Sequence, residues 1–125
     1  MISLFYVASG GSIGAVLRYL TSNFYRFYFP NSPFGTLFIN FLGSFLIGIL
    51  ASNLENKGAS YVFIRYFLII GILGSFTTFS TFSLEAIQLI NDKKLFLSFI
   101  YIFLSISLCI FGAFFGFNIN KIWLW

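Results

Sequence analysis

One stretch of this chain is too apolar for water and too long to cross a bilayer as a straight helix. From about Tyr61 to Ile90 the residues are mostly apolar, with Arg65 near one end and Glu85 near the other. About 29 residues at roughly 1.5 Å each reach ~43 Å, against a hydrocarbon core about 30 Å thick. Tilt absorbs part of that excess, and a central break absorbs the rest. The run G-I-L-G-S-F-T-T-F-S-T-F at residues 71–82 supplies the break. Gly71 and Gly74 loosen a helix, and the hydroxyls of Thr77 and Thr78 compete for backbone partners. The pattern therefore predicts a helix broken between Gly74 and Thr78. A membrane tolerates such a break only where the freed backbone groups face protein, water or an ion.

The rest of the chain fits the same setting. Charged residues are 8% of the 125 and hydrophobic ones 59%, against about 25% and 45–50% in soluble domains. Four spans are expected, at about residues 2–24, 32–53, 61–90 and 95–118. Together they make residues 1–125 a single four-helix transmembrane domain of all-α class. Ser32 is the expected N-cap of the second helix, with Pro33 at its first helical position. The turn Asn91-Asp92-Lys93-Lys94 separates the third span from the fourth. Residues 1–7 lack the basic region of a signal peptide, and their apolar character runs on to Leu20, so they read as the start of a retained helix. Short connections imply antiparallel neighbours.

Charge narrows the function. The net charge is +4, but the basic residues stand mostly at segment ends, which suits lipid headgroups and not a nucleic-acid surface. With four spans, Lys57, Arg65 and Lys121 share one side. Arg26, Lys93 and Lys94 share the other, with Arg18 nearer to them. That near balance gives almost no positive-inside bias. Two copies in opposite orientation then pair naturally, as an antiparallel, dual-topology homodimer. There is no His and one Cys, so no disulfide within the chain and no zinc site are expected. General-base catalysis lacks its usual residue, and Glu85 and Asp92 do not form an evident pair. No G-x-x-x-x-G-K-[ST] motif is present, so no nucleotide is expected. Passive or coupled transport remains, and not an enzyme.

The remaining spans each carry a face of small and polar residues. On the first these are Gly11, Gly14, Ala15, Arg18 and Ser22; on the second, Thr36, Asn40, Gly43, Ser44 and Gly48. On the fourth they are Ser98, Tyr101, Ser105, Gly112 and Gly116. The glycines read first as close helix packing. Asn40 does not, because a mid-span amide has several hydrogen-bonding groups to satisfy. Asn40, Ser80, Thr81 and Ser83 can donate to an anion. The positive ring edges of Phe79 and Phe82 can do the same, although in a chain with 20 phenylalanines a Phe pair reads equally as packing. Arg18 is a fixed positive charge in or near the membrane, and Glu85 is the only intramembrane acid candidate. Carbonyl oxygens freed near Gly74 and Thr77 would suit an alkali cation, and two breaks at a dimer axis would bring four together. Cys109, within an apolar helix, reads as packing.

Three motifs in order, G-G-S-I-G-A-V-L-R-Y at residues 10–19, G-T-L-F-I-N-F-L-G-S-F at 35–45 and G-S-F-T-T-F-S-T-F at 74–82, closely resemble the Fluc (CrcB) fluoride channels. The resemblance covers essentially all four helices. It implies a dual-topology homodimer in the bacterial inner membrane, with two fluoride pores and a central structural sodium ion. By position, Gly74 and Thr77 resemble the residues whose carbonyls hold that sodium. Phe79 and Phe82 match the pore aromatics, Asn40 the asparagine that reaches into a pore, and Arg18 an arginine near where the anion enters. Ser80, Thr81, Ser83 and Glu85 fall on the family's polar track, with Tyr101 and Ser105 as further members. Cys109 stands where a hydroxyl residue is expected. The partners implied are fluoride, an inverted second copy and the lipid bilayer, with no nucleic acid. The main alternative is a proton-coupled small multidrug exporter, which uses an acidic residue in its first helix; here that helix carries Arg18 and no acid.

Overall fold

The computed structural model describes residues 1–30, 32–52, 54 and 60–122. Lys57, counted above in the charge balance, lies outside them, as does Asn53. The elements are α1 (Ile2–Tyr28), α2 (Phe34–Ser52), α3 (Ser60–Val62), a π-helical segment (Phe63–Leu73), α4 (Gly74–Phe76), α5 (Phe79–Asn91) and α6 (Leu95–Ile122). Among the described residues there is no strand. Phe34–Ser52, Phe63–Asn91 and Leu95–Ile119 are each long and apolar enough to cross a membrane, and the chain is a multi-pass membrane protein. α1 has the length, but Ser9, Gly10, Gly11, Ser12 and Gly14 dilute its apolar character.

The ends differ from expectation in local ways. α1 continues past residue 24 to Tyr28, where Phe29 N–H donates to the Tyr25 carbonyl and Arg26 sits in the last turn, a favourable place for a cation. α2 begins at Phe34, so Pro33 precedes the helix instead of opening it. Ser32 Oγ accepts from Phe34 N–H at 3.4 Å, the bond by which an N-cap serine serves a donor in the first helical turn. α5 ends in a Schellman arrangement: Lys94 N–H donates to the Leu89 carbonyl and Lys93 N–H to that of Ile90. Lys93 takes the left-handed conformation, φ 59°, that this motif requires. The π-helical segment is dense in aromatic and β-branched residues (Phe63, Ile64, Tyr66, Phe67, Ile69, Ile70, Ile72), which crowd the narrower α-helical turn.

Two backbone crossings fix the arrangement. A Cβ on Gly10 would lie 2.5 Å from the Phe67 carbonyl oxygen, and one on Gly14 would lie 2.1 Å from that of Ile72. A Cβ on Gly48 would lie 2.2 Å from the Ala113 carbonyl oxygen, and one on Gly116 2.2 Å from that of Phe45. Side chains larger than hydrogen cannot enter either contact, so the glycines are what let the helices touch. Residue numbers rise together along α1 and the π-helical segment, Gly10 at Phe67 and Gly14 at Ile72, and along α2 and α6, Gly112 at Phe41 and Gly116 at Phe45. α1 is therefore parallel to the π-helical segment, and α2 to α6, as helices of alternating direction should be. The outer surface carries Phe5, Phe24, Phe27, Phe96, Phe99 and Phe103, a face suited to lipid. The interior is small, centred on Phe82, Ala86, Leu89 and Tyr101 between α5 and α6.

Candidate functional site

Between α4 and α5 the backbone is extended, at φ −76°, ψ 155° for Thr77 and φ −152°, ψ 114° for Thr78. Extended residues leave peptide groups without helical partners, and Asn40 of α2 supplies substitutes. Its Nδ2 donates to the Thr78 carbonyl at 3.0 Å, and its Oδ1 accepts from Thr78 N–H at 2.7 Å. Thr78 also caps α5, its Oγ1 accepting from Thr81 N–H at 3.2 Å, as an N-cap threonine does. The same oxygen donates to Thr81 Oγ1 at 3.0 Å and lies 3.2 Å from Ser80 Oγ. In a continuous helix Thr78 N–H would reach the Gly74 carbonyl, and Thr81 N–H that of Thr77. Both donors are directed elsewhere. Gly43 backs the break, since a Cβ there would meet Thr77 Cγ2 at 2.2 Å.

Further along α5, Glu85 is held by two hydroxyls from other helices. Thr36 Oγ1 donates to its Oε1 at 2.8 Å, and Tyr101 donates to Oε2 at 2.7 Å. Between this cluster and the break stands Phe82, 6% exposed. Its ring centroid is 5.3 Å from Phe79 and 5.3 Å from Tyr101. Phe79, by contrast, is 76% exposed.

Two cavities flank these groups. One, of about 290 Å³, is lined by Asn40, Ser44, Thr77, Phe79, Phe82 and Ser105, with Cys109 beyond. The other, of about 610 Å³, includes Thr36, Thr81, Glu85 and Gln88, with Arg26 and Lys94. Lys94 is paired with Asp92 at 3.5 Å. In the smaller cavity Ser105 is buried, and its hydroxyl has no hydrogen-bond partner among the described residues. A buried orphan hydroxyl is costly unless something fills its valence. The polar residues form rows four apart along two helices, Thr36-Asn40-Ser44 on α2 and Tyr101-Ser105-Cys109 on α6. Each row covers about 12 Å of helix at ~1.5 Å per residue.

Asn40, Phe79, Phe82 and Ser105 thus line the smaller cavity, Thr81 and Glu85 line the larger one, and Tyr101 is bonded to Glu85. Ser80 is exposed, its Oγ lies 3.2 Å from Thr78 Oγ1, and it lines neither cavity. Ser83 Oγ donates back to the Phe79 carbonyl of its own helix at 2.9 Å and lines neither cavity. Arg18 is half-buried on α1 and also lines neither; Arg26 stands at the larger cavity instead. Sequence reasoning treated Thr78 as a helix breaker and missed it as a cap and ligand for Asn40. It placed Thr36 on a polar face without linking it to Glu85, although the four-residue spacing to Asn40 was the available signal.

A helical membrane chain with an amide-clamped break beside aromatic rings and hydroxyls can be compared with known proteins. The family described as CrcB-like protein, Camphor Resistance (CrcB), matches residues 5–117. The chain belongs to the CrcB family. A Campylobacter jejuni protein named fluoride-specific ion channel FluC is 46% identical over 120 residues, covering 95% of this chain and 98% of its own length. A protein of that name from Agrobacterium fabrum is 43% identical over 122 residues, 97% of this chain and 98% of the relative. Another, from Flavobacterium psychrophilum, is 39% identical over 122 residues with the same shares, 97% and 98%. The CrcB match takes in every residue of the break and of both cavities.

Proposed function

We propose that this CrcB-family chain is a passive, fluoride-selective channel of the bacterial membrane, a transporter and not an enzyme. The observation that carries the reading is the unpartnered Ser105 hydroxyl in the cavity shared with Asn40, Phe79 and Phe82. Fluoride is small and strongly hydrated, so a narrow path must replace its water with donors. Hydroxyls, the remaining amide hydrogen of Asn40 and ring edges offer weak sites in series. No single site then holds the ion too tightly for it to leave. A larger anion such as chloride gains less from close donors. The N-terminus of α5 adds a favourable partial charge beside Ser80 and Thr81.

The working unit of the reading is an inverted homodimer with two pores, in which a first-helix span completes the four. Two features support it. Phe79 lines the cavity yet is largely exposed in the single chain, so its outer face awaits a neighbour. Gly74 is exposed as well, as a residue on a dimer axis would be. A central sodium ion fits the chemistry of the break. The Gly74 and Thr77 carbonyls, relieved of their helical donors, are neutral hard oxygens of the kind an alkali cation takes. Such an ion would supply a fixed positive charge near the anion path and tie two breaks together. Among the described residues no group of His, Cys, Asp and Glu competes for a metal.

The deciding measurement is fluoride efflux from liposomes holding the purified protein, with a potassium ionophore and no proton gradient, and chloride followed in parallel. Rapid release of fluoride with chloride retained is expected. Silence for both, or release only under a proton gradient, would overturn the channel and favour the exporter.

A further inference from the structure

The break is kept open by side chains, and the residues that do this are identifiable. We propose that Asn40 and Thr78 are positioning residues for the cation cradle, holding off the two N–H groups that would otherwise occupy the Gly74 and Thr77 carbonyls. The proposal rests on the sodium site of the preceding section and adds the mechanism by which this chain makes it.

Asn40 pairs with both the N–H and the carbonyl of Thr78. A side-chain amide facing an extended residue in this way copies the pairing of neighbouring strands. It uses the Asn40 oxygen and one of its two amide hydrogens, leaving a single hydrogen for the cavity. Asn40 is therefore mainly a backbone clamp and only secondarily an anion donor. Thr78 adds the second half by giving Thr81 N–H an oxygen other than the Thr77 carbonyl. Without either contact, nothing but the extended backbone opposes closure of the ordinary helical bonds 78→74 and 81→77. Closure would place an amide hydrogen on each carbonyl and neutralise the cradle. Gly43 keeps the geometry tight, because any side chain there would displace Thr77.

The test uses the full-length protein in detergent, its thermal unfolding midpoint followed while sodium replaces N-methylglucamine at constant ionic strength. The wild type should gain stability with sodium and show a defined half-effect concentration. Asn40→Ala and Thr78→Val should raise that concentration roughly tenfold or more, the size of effect seen when groups that orient metal ligands are removed. Thr78→Ser keeps the capping oxygen and should restore the wild-type response. Phe82→Ile, which alters the cavity but not the break, should leave the sodium response in place. A merely structural role would lower the midpoint equally with and without sodium. An unchanged half-effect concentration in Asn40→Ala and Thr78→Val, with the wild type responding, would overturn the proposal and leave the sodium reading standing. A wild type indifferent to sodium would remove both. Should Asn40→Ala fail to fold, Thr78→Val against Thr78→Ser decides alone.

Discussion

Where α2 crosses α6, Gly48 and Gly116 let two backbones approach while every helix keeps its own hydrogen bonds. Where α2 meets the Thr77–Thr78 break, Gly43 makes room for the Thr77 methyl, 2.2 Å from where a Cβ would stand, and the Thr78 N–H and carbonyl pair with Asn40. Both contacts are made of small residues on one helix face, within a few turns of each other. The crossing sets backbone against backbone, Gly48 at the Ala113 carbonyl and Gly116 at that of Phe45. The break collects amide, hydroxyl and carbonyl groups around a cavity. A glycine row thus says only that two helices come close. What the contact does depends on the polar residue one turn away.

The largest effect expected is on the packing side. Gly48→Leu drives a side chain into the Ala113 carbonyl, where the first added carbon would already stand 2.2 Å from the oxygen. Backbone cannot move aside as a side chain can, so the cost should reach at least about 3 kcal/mol. Thermal unfolding and size exclusion in detergent should show loss of folded protein. A well-folded Gly48→Leu would mean the crossing is no tighter than the break. On the polar side, Tyr101→Phe removes one of two hydroxyls from Glu85, at a residue 0% exposed. It should cost about 1–3 kcal/mol. No measurable loss would mean that water from the larger cavity already serves that oxygen. Phe82→Ile should leave assembly intact but lower fluoride flux about tenfold, equivalent to ~1.4 kcal/mol on the barrier. Flux equal to wild type would take the ring out of the conduction path.

Much of this organisation was readable before any coordinates. The apolar spans follow from composition, and Gly74 with Thr77 and Thr78 marks the place where helical bonding is weakest. Asn40 could be singled out because a lone amide in lipid must find partners. Which partners it finds was not readable, since that depends on the register of α2 against the third segment. Ser83 shows a second limit. A hydroxyl four residues beyond a helical carbonyl can always turn back to it, and sequence does not distinguish that choice from one facing a neighbour. Cys109 was assigned to packing because it lies within an apolar helix, yet it lines the smaller cavity four residues after Ser105. Ser32 makes the bond expected of an N-cap, its Oγ accepting from Phe34 N–H, two residues on.

The finest contrast lies between two buried serines on α6. Ser98 Oγ donates to the Ala86 carbonyl at 3.0 Å, whereas Ser105 Oγ makes no hydrogen bond among the described residues. Ser98→Ala should therefore cost about 1 kcal/mol, the net worth of an ordinary hydrogen bond, and leave fluoride selectivity unaltered. Ser105→Ala deletes a hydroxyl that makes no hydrogen bond among the described residues, so the unfolding midpoint should hold or rise slightly. Its effect should fall on flux, which loses one donor from the series. Both variants can be scored by the same unfolding and liposome assays. If Ser105→Ala destabilised the protein as much as Ser98→Ala while flux stayed normal, Ser105 would belong with the packing residues of the crossing. If flux fell and stability held, that hydroxyl is kept for the ion.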